Sequence, residues 1–274
     1  MVIKFLIFCI FTSLLSANLE DKIKNYMSAS EYNKQENLIK ILFKDSDKFY
    51  RQSDGNVDSL KVIKVLKENG LFKMFYKKPI SLNIKFITDK NPLIFIKVIS
   101  ESLDAIGYNY FLTSKAQKTN DKFSWSINLQ TEHLVNPIVF SQELLKRGCI
   151  IKDIIKEKKY NWTYKINSDN AKLNAKMIDL ETTTKLTKPI EDYLIQNNNA
   201  TSIKIRTSFS DHWYPKISFL DSSLHVVSEK NIDERTYVLK VDVPKDCKYI
   251  KIGDLYTLEN IKHGLSVYMT KEEK

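Results

Sequence analysis

The chain has 274 residues, with 43 lysines and arginines against 33 aspartates and glutamates, a formal net charge of +10. Hydrophobic residues make up 43% of it, enough to build more than one packed core at this length. Four of the cations are arginines (Arg51, Arg147, Arg206 and Arg235). The excess is therefore scattered lysine rather than the guanidinium forks that grip phosphate, and nucleic acid is set aside as a partner.

The chain begins MVIKFLIFCIFTSLLSA. Lys4 precedes an apolar run from Phe5 to Leu15, closed by the small residues Ser16 and Ala17, the pattern of a secretory signal peptide. The run is too short for a span of about 20 residues. Cleavage after Ala17 is expected, with an uncleaved anchor as the alternative. Export places the mature chain in the periplasm, not membrane-spanning. Two cysteines then remain, Cys149 and Cys247. An oxidising compartment permits one disulfide between them, and two buried thiols are the competing expectation.

Residues 18–78 read as a helical segment. Leu19, Ile23, Tyr26 and Met27 form one apolar stripe at helical spacing. A second helix is expected after Ser30, carrying Leu38, Ile41 and Leu42. A third runs from about Ser59 and stops at Asn69-Gly70, where glycine accepts the left-handed terminus.

Residues 79–167 contain a repeated pattern. NPLIF starts at Asn91 and NPIVF at Asn136. Asparagine suits the N-cap and proline the first helical position, where its missing N–H costs nothing. Each predicted helix ends at a glycine, Gly107 or Gly148, and strand-like runs flank each copy. The order β-α-β-β-α-β, with a hairpin turn at Gln117–Lys122, predicts a ferredoxin-like module with two helices on an antiparallel sheet.

Residues 168–274 lose the helical pattern. Eight short alternating runs, separated by polar turns, predict an antiparallel β-sandwich. The whole is an α+β chain: a helical N-terminal segment, a ferredoxin-like βαββαβ module and a C-terminal sandwich.

The chemistry available is narrow. Six glycines, none closer than eleven residues, exclude a P-loop and a dinucleotide turn. There is no GxSxG elbow and no HExxH, and the four histidines lack metal spacing. No cofactor is expected, and both cysteines read as structural.

One stretch, FSDHWYPKISF, joins Asp211, His212, Trp213 and Tyr214. Pro215 makes it a connection between two strands. It suits a recognition loop, with aromatic rings for stacking and a carboxylate for hydroxyl groups. The leading expectation is nonetheless structural: Trp213 or Tyr214 tucks back as an aromatic plug over the open end of the core. A second stretch, Gly253–Met269, brings Asp254, Tyr256, Glu259 and His263 before the last strand. The sharpest hypothesis unites Asp211, His212, Tyr256 and His263 in one site. The resulting expectation is an exported, non-enzymatic binding or scaffold protein, accessory to an envelope assembly, with other envelope proteins as partners. The alternative is a protein that binds carbohydrate or cell wall through its sandwich loops.

Overall fold

The computed structural model describes residues 19–271. The leader expected over residues 1–17 lies outside the described residues. No described helix is long and apolar enough to cross a membrane. The fold is mixed α+β, with several helices and three sheets. Contacts divide the chain into two units, between Lys172 and Leu173.

In the first unit, helix α1 is described over residues 19–26. Its stripe of Leu19, Ile23 and Tyr26 is buried, together with the following Met27. The next helical stretch differs from expectation. It begins at Ala29, not after Ser30, and breaks into α2 (Ala29–Lys34) and α3 (Glu36–Leu42). Ser28 and Glu31 form a reciprocal capping box that fixes the earlier start. Ile41, expected on the buried stripe, is 71% exposed. Helix α4 (Ser59–Glu68) follows, capped by Asp58. Gly70 beyond its end has φ +70°, as a left-handed terminus requires.

Both Asn-Pro sites open helices: α5 (Pro92–Asp104) and α6 (Pro137–Lys146). The Asn91 side chain accepts from the N–H groups of Leu93 and Ile94, and that of Asn136 from Ile138. Gly148 sits at φ +72°, where a Cβ would stand 1.9 Å from the Asn170 carbonyl oxygen.

The sheet of this unit corrects the predicted antiparallel four-strand arrangement. Its strands are β1 (Phe75–Thr88), β2 (Leu112–Thr119), β3 (Lys122–His133), β4 (Ile150–Lys158) and β5 (Asn161–Asn167), in the order β2-β3-β1-β5-β4. The position beside β1 expected for the fourth strand is taken by β5, which runs parallel to β1 from Asn83↔Asn161. The cause is the hairpin β4–β5: one extra reversal sends β4 to the edge and inserts its partner. The edge is then covered. Asn25 accepts from Lys156 N–H at 2.9 Å and donates to Lys156 C=O at 3.0 Å, as a neighbouring strand would. Tyr26 adds a hydrogen bond to the Ile154 carbonyl at 2.7 Å. Phe86, Phe140 and Tyr164 meet pairwise in the core, with centroids 5.7–5.8 Å apart.

The second unit holds the remaining strands: β6 (Lys176–Met177), β7 (Thr183–Lys185), β8 (Tyr193–Gln196), β9 (Ser202–Thr207), β10 (Pro215–Leu220), β11 (Val226–Asn231), β12 (Val238–Asp242), β13 (Tyr249–Asp254) and β14 (Leu265–Thr270). They form two sheets, β11-β10-β13-β8-β6 and β12-β9-β14-β7. One apolar cluster takes side chains from both, among them Ile217, Phe219 and Ile252 from the first and Ile205, Leu265 and Val267 from the second. Alternation along each strand sends these residues to one face. Pairing is antiparallel except between β6 and β8, which is parallel. The chain passes from β6 to β8 through β7 in the other sheet, so the connection is a crossover rather than a hairpin and allows the parallel pair.

Candidate functional site

The β9–β10 connection carries Phe209 to Tyr214 across one end of the second unit. Two buried carboxylates organise it. Asp211 folds inward, its side chain fully buried, and its Oδ1 lies 2.5 Å from His263 Nδ1. The Thr207 hydroxyl donates to its other oxygen at 3.2 Å. The His263 ring remains half exposed, and the Ser210 hydroxyl reaches the same nitrogen at 3.3 Å. Asp254, at the end of β13, binds the other half of the site. Its Oδ2 accepts from Tyr214 N–H at 2.8 Å. Its Oδ1 accepts from the N–H groups of Tyr256 and Thr257 and from Asn260 Nδ2, at 2.9–3.0 Å. A one-turn 3₁₀ helix, Leu258–Ile261, follows and delivers His263.

The six predicted site residues separate by depth. Trp213 is fully buried within the apolar cluster, and its indole N–H donates to the Gly253 carbonyl at 2.8 Å. Its ring is removed from any ligand at the surface. Asp211 is also buried and acts through His263. His212 is exposed, tied down by its N–H to the Asn260 carbonyl at 3.0 Å. Tyr214 and Tyr256 meet edge to face at 5.1 Å, and Tyr256 is 64% exposed. The Tyr256 hydroxyl donates to Asp233, which holds its phenol above the ordinary tyrosine pKa range.

The geometry adds residues that the sequence did not single out. Arg235 donates through Nε and Nη2 to the Asp211 carbonyl and through Nη2 to the Phe209 carbonyl, at 2.9–3.2 Å. Its guanidinium lies 4.8 Å from the Tyr237 ring centroid, and Tyr237 in turn packs against Phe209 at 5.4 Å. Phe209 is 86% exposed. The available sequence signal was the rarity of arginine, which makes Arg235 beside Tyr237 conspicuous.

The result is a surface of exposed aromatic rings interleaved with imidazole, hydroxyl and guanidinium groups. It can stack on a flat apolar face and hydrogen-bond to hydroxyls. Among the described residues, no group of three or more His, Cys, Asp or Glu side chains could hold a metal ion. Cys149 and Cys247 are both buried free thiols, which resolves the open pairing in favour of no disulfide. Burial pushes each thiol up to about 11, away from nucleophilic thiolate chemistry.

No family model and no curated protein matches the sequence. Among solved structures, the lectin domain of lectinolysin complexed with Lewis b antigen is 15% identical. That match covers 33% of this chain and 72% of that one, at a TM-score of 0.24. A His 62 mutant of the same lectin domain gives the same figures. A structure of accessory secretory proteins 1, 2 and 3 from Streptococcus pneumoniae is 10% identical. It covers 34% of this chain and 81% of that one, at a TM-score of 0.21. No ligand is carried over from these likenesses.

Proposed function

We propose that the protein is an exported, non-enzymatic binding protein whose second unit, a β-sandwich module, recognises a glycan through the loops around Asp211. Its place is the periplasm, as the leader expected over residues 1–17 implies. The observation that carries the reading is the pairing of exposed rings with anchored polar groups. Phe209 and Tyr256 are exposed, while His263 is held by the buried Asp211 carboxylate and Arg235 by the Asp211 and Phe209 carbonyls. A stacking face plus fixed donors is what a sugar needs, since its C–H face is apolar and its hydroxyls are directional. Fixed donors also lose little entropy on binding.

A second reading, contact with an envelope protein, draws on the same exposed aromatic rings, which are efficient protein contacts. A glycan array probed with the labelled full chain separates the two. Specific oligosaccharide binding, lost in Phe209→Ala and Tyr256→Ala while the circular dichroism spectrum is unchanged, supports glycan recognition. Absence of binding across neutral and acidic glycans sinks it.

A further inference from the structure

The first unit has a groove of about 940 Å³, at the end of the sheet where β1 begins. Its floor is aromatic. Tyr26 stacks parallel to the Trp162 indole at 6.3 Å, and Phe72 stands edge-on to both. Tyr76 and Tyr160 close one side, edge to face at 5.4 Å. Phe75 lies at the mouth and is 72% exposed. Among the described residues, the indole N–H of Trp162 has no partner at hydrogen-bonding geometry, although the Tyr76 hydroxyl is close enough to feel it.

The lining is strongly cationic. Six lysines contribute to it: Lys73, Lys77, Lys78, Lys156, Lys158 and Lys159. Glu31 is the single carboxylate among the lining residues, and it is already engaged by Lys73 and Ser28. Burial draws the Lys156 ammonium below its ordinary pKa, and the charge on Lys73 adds to that effect. An incoming anion would relieve the second contribution.

The groove also runs along an unfilled strand position. β5 pairs with β1 only from Asn83 onward, where Asn83 N–H donates to the Tyr160 carbonyl at 2.9 Å. Among the described residues, no strand lies beside β1 on that side from Phe75 to Leu82. Ser81, two residues before Asn83, presents its backbone in the same direction. Pro79 keeps its carbonyl as an acceptor while lacking a donor, as edge strands tolerate.

From these three features together we infer that the groove binds an extended acidic peptide segment, which adds as a strand to the open edge of β1. Main-chain hydrogen bonds to the edge would fix the peptide's path. Its carboxylates would meet Lys77, Lys78 and Lys158, and its apolar side chains would rest on the accessible rings of Phe75, Tyr76 and Tyr160, which the buried Tyr26, Phe72 and Trp162 support from beneath. An anionic lipid would satisfy the lysines and the rings but leave the strand edge unpaired, so the peptide is the better occupant. This site belongs to the first unit and is independent of the glycan reading of the second.

The test uses fluorescence anisotropy with the full chain and a labelled octapeptide alternating glutamate with valine and tyrosine. Saturable binding is expected, weakened by about tenfold or more when Lys77, Lys78 and Lys158 are all changed to glutamate. Two further probes carry backbone N-methyl groups at either odd or even positions. Only one of these phases turns its N–H groups toward the edge, so one probe should bind as the parent and the other should lose binding. Equal behaviour of the two phases refutes strand addition without altering the protein. Equal binding of a lysine-for-glutamate peptide refutes the charge argument. Binding of phosphatidylglycerol vesicles with none of the peptide would assign the groove to lipid and overturn the proposal.

Discussion

Trp213 offers the most direct test of how the candidate site is built. Its indole is fully buried between the sheets of the second unit and donates to the Gly253 carbonyl at 2.8 Å. Truncation in Trp213→Ala removes one of the largest fully buried side chains. Such a change costs about 3–5 kcal/mol, from lost transfer energy and the cavity left behind. Trp213→Phe keeps most of the apolar volume but leaves the Gly253 carbonyl without its donor. That loss costs about 1–3 kcal/mol. Native-state hydrogen exchange read by mass spectrometry is the suitable assay, because peptides from β9, β10, β13 and β14 report on the second unit alone. At 1.36 kcal/mol per tenfold change, the alanine variant should lose roughly two to four powers of ten in protection. The phenylalanine variant should fall between it and the unaltered chain, and peptides of the first unit should not change. A loss of less than tenfold in Trp213→Ala would show that the ring is no core plug. The loop would then have to be reconsidered as a surface aromatic.

Three further outcomes follow from the geometry. The Arg51 guanidinium grips Asp54 with three hydrogen bonds at 2.9–3.2 Å and lowers its pKa from 3.8 to about 2. A carboxylate depressed in the folded state stabilises it above the unfolded pKa, and that contribution fades as pH falls through the folded value. Acid titration of stability between about pH 4 and pH 2 should therefore be shallower in Asp54→Asn, and identical slopes would refute the coupling. The two buried thiols, raised to about 11, should resist Ellman's reagent at pH 8 in the native chain. Both should react at once in guanidinium chloride, whereas a disulfide would leave them silent there as well. Gly148 and Gly107 both have positive φ, but only Gly148 faces a backbone oxygen where its Cβ would stand. Gly107→Ala should cost about 1–2 kcal/mol in urea unfolding, the strain of a left-handed residue. Gly148→Ala should cost distinctly more, and equal losses would mean that the Asn170 segment yields freely.

Much of the candidate site was named from sequence, but its division by depth was not. FSDHWYPKISF was readable as a strand-to-strand connection, because Pro215 and the flanking alternation are local signals. Which of its side chains turn inward depends on partners far along the chain. Asp211 is buried because His263, 52 positions away, comes to it. Trp213 is buried because Gly253 presents a carbonyl 40 positions away. Arg235 was missed for the same reason, since its partners are carbonyl groups at Phe209 and Asp211 and carry no residue-type signature.

The fold divides along the same line. The two Asn-Pro helix starts, the glycine stops and the turn at Asn120 and Asp121, both at positive φ, follow from residues within one turn of the feature. Caps, proline and left-handed residues act over a few bonds, so composition and spacing are sufficient to read them. Even there, the Ser28–Glu31 box competed with Ser30 and moved a helix boundary by two residues. The insertion of β5 beside β1 and the groove it leaves open at Phe75–Leu82 are matters of strand pairing. Every strand shares the same two-residue period, so alternation cannot state which strand lies next to which. That choice is made by closure of distant segments onto a common core, and it created both surfaces for which binding is proposed.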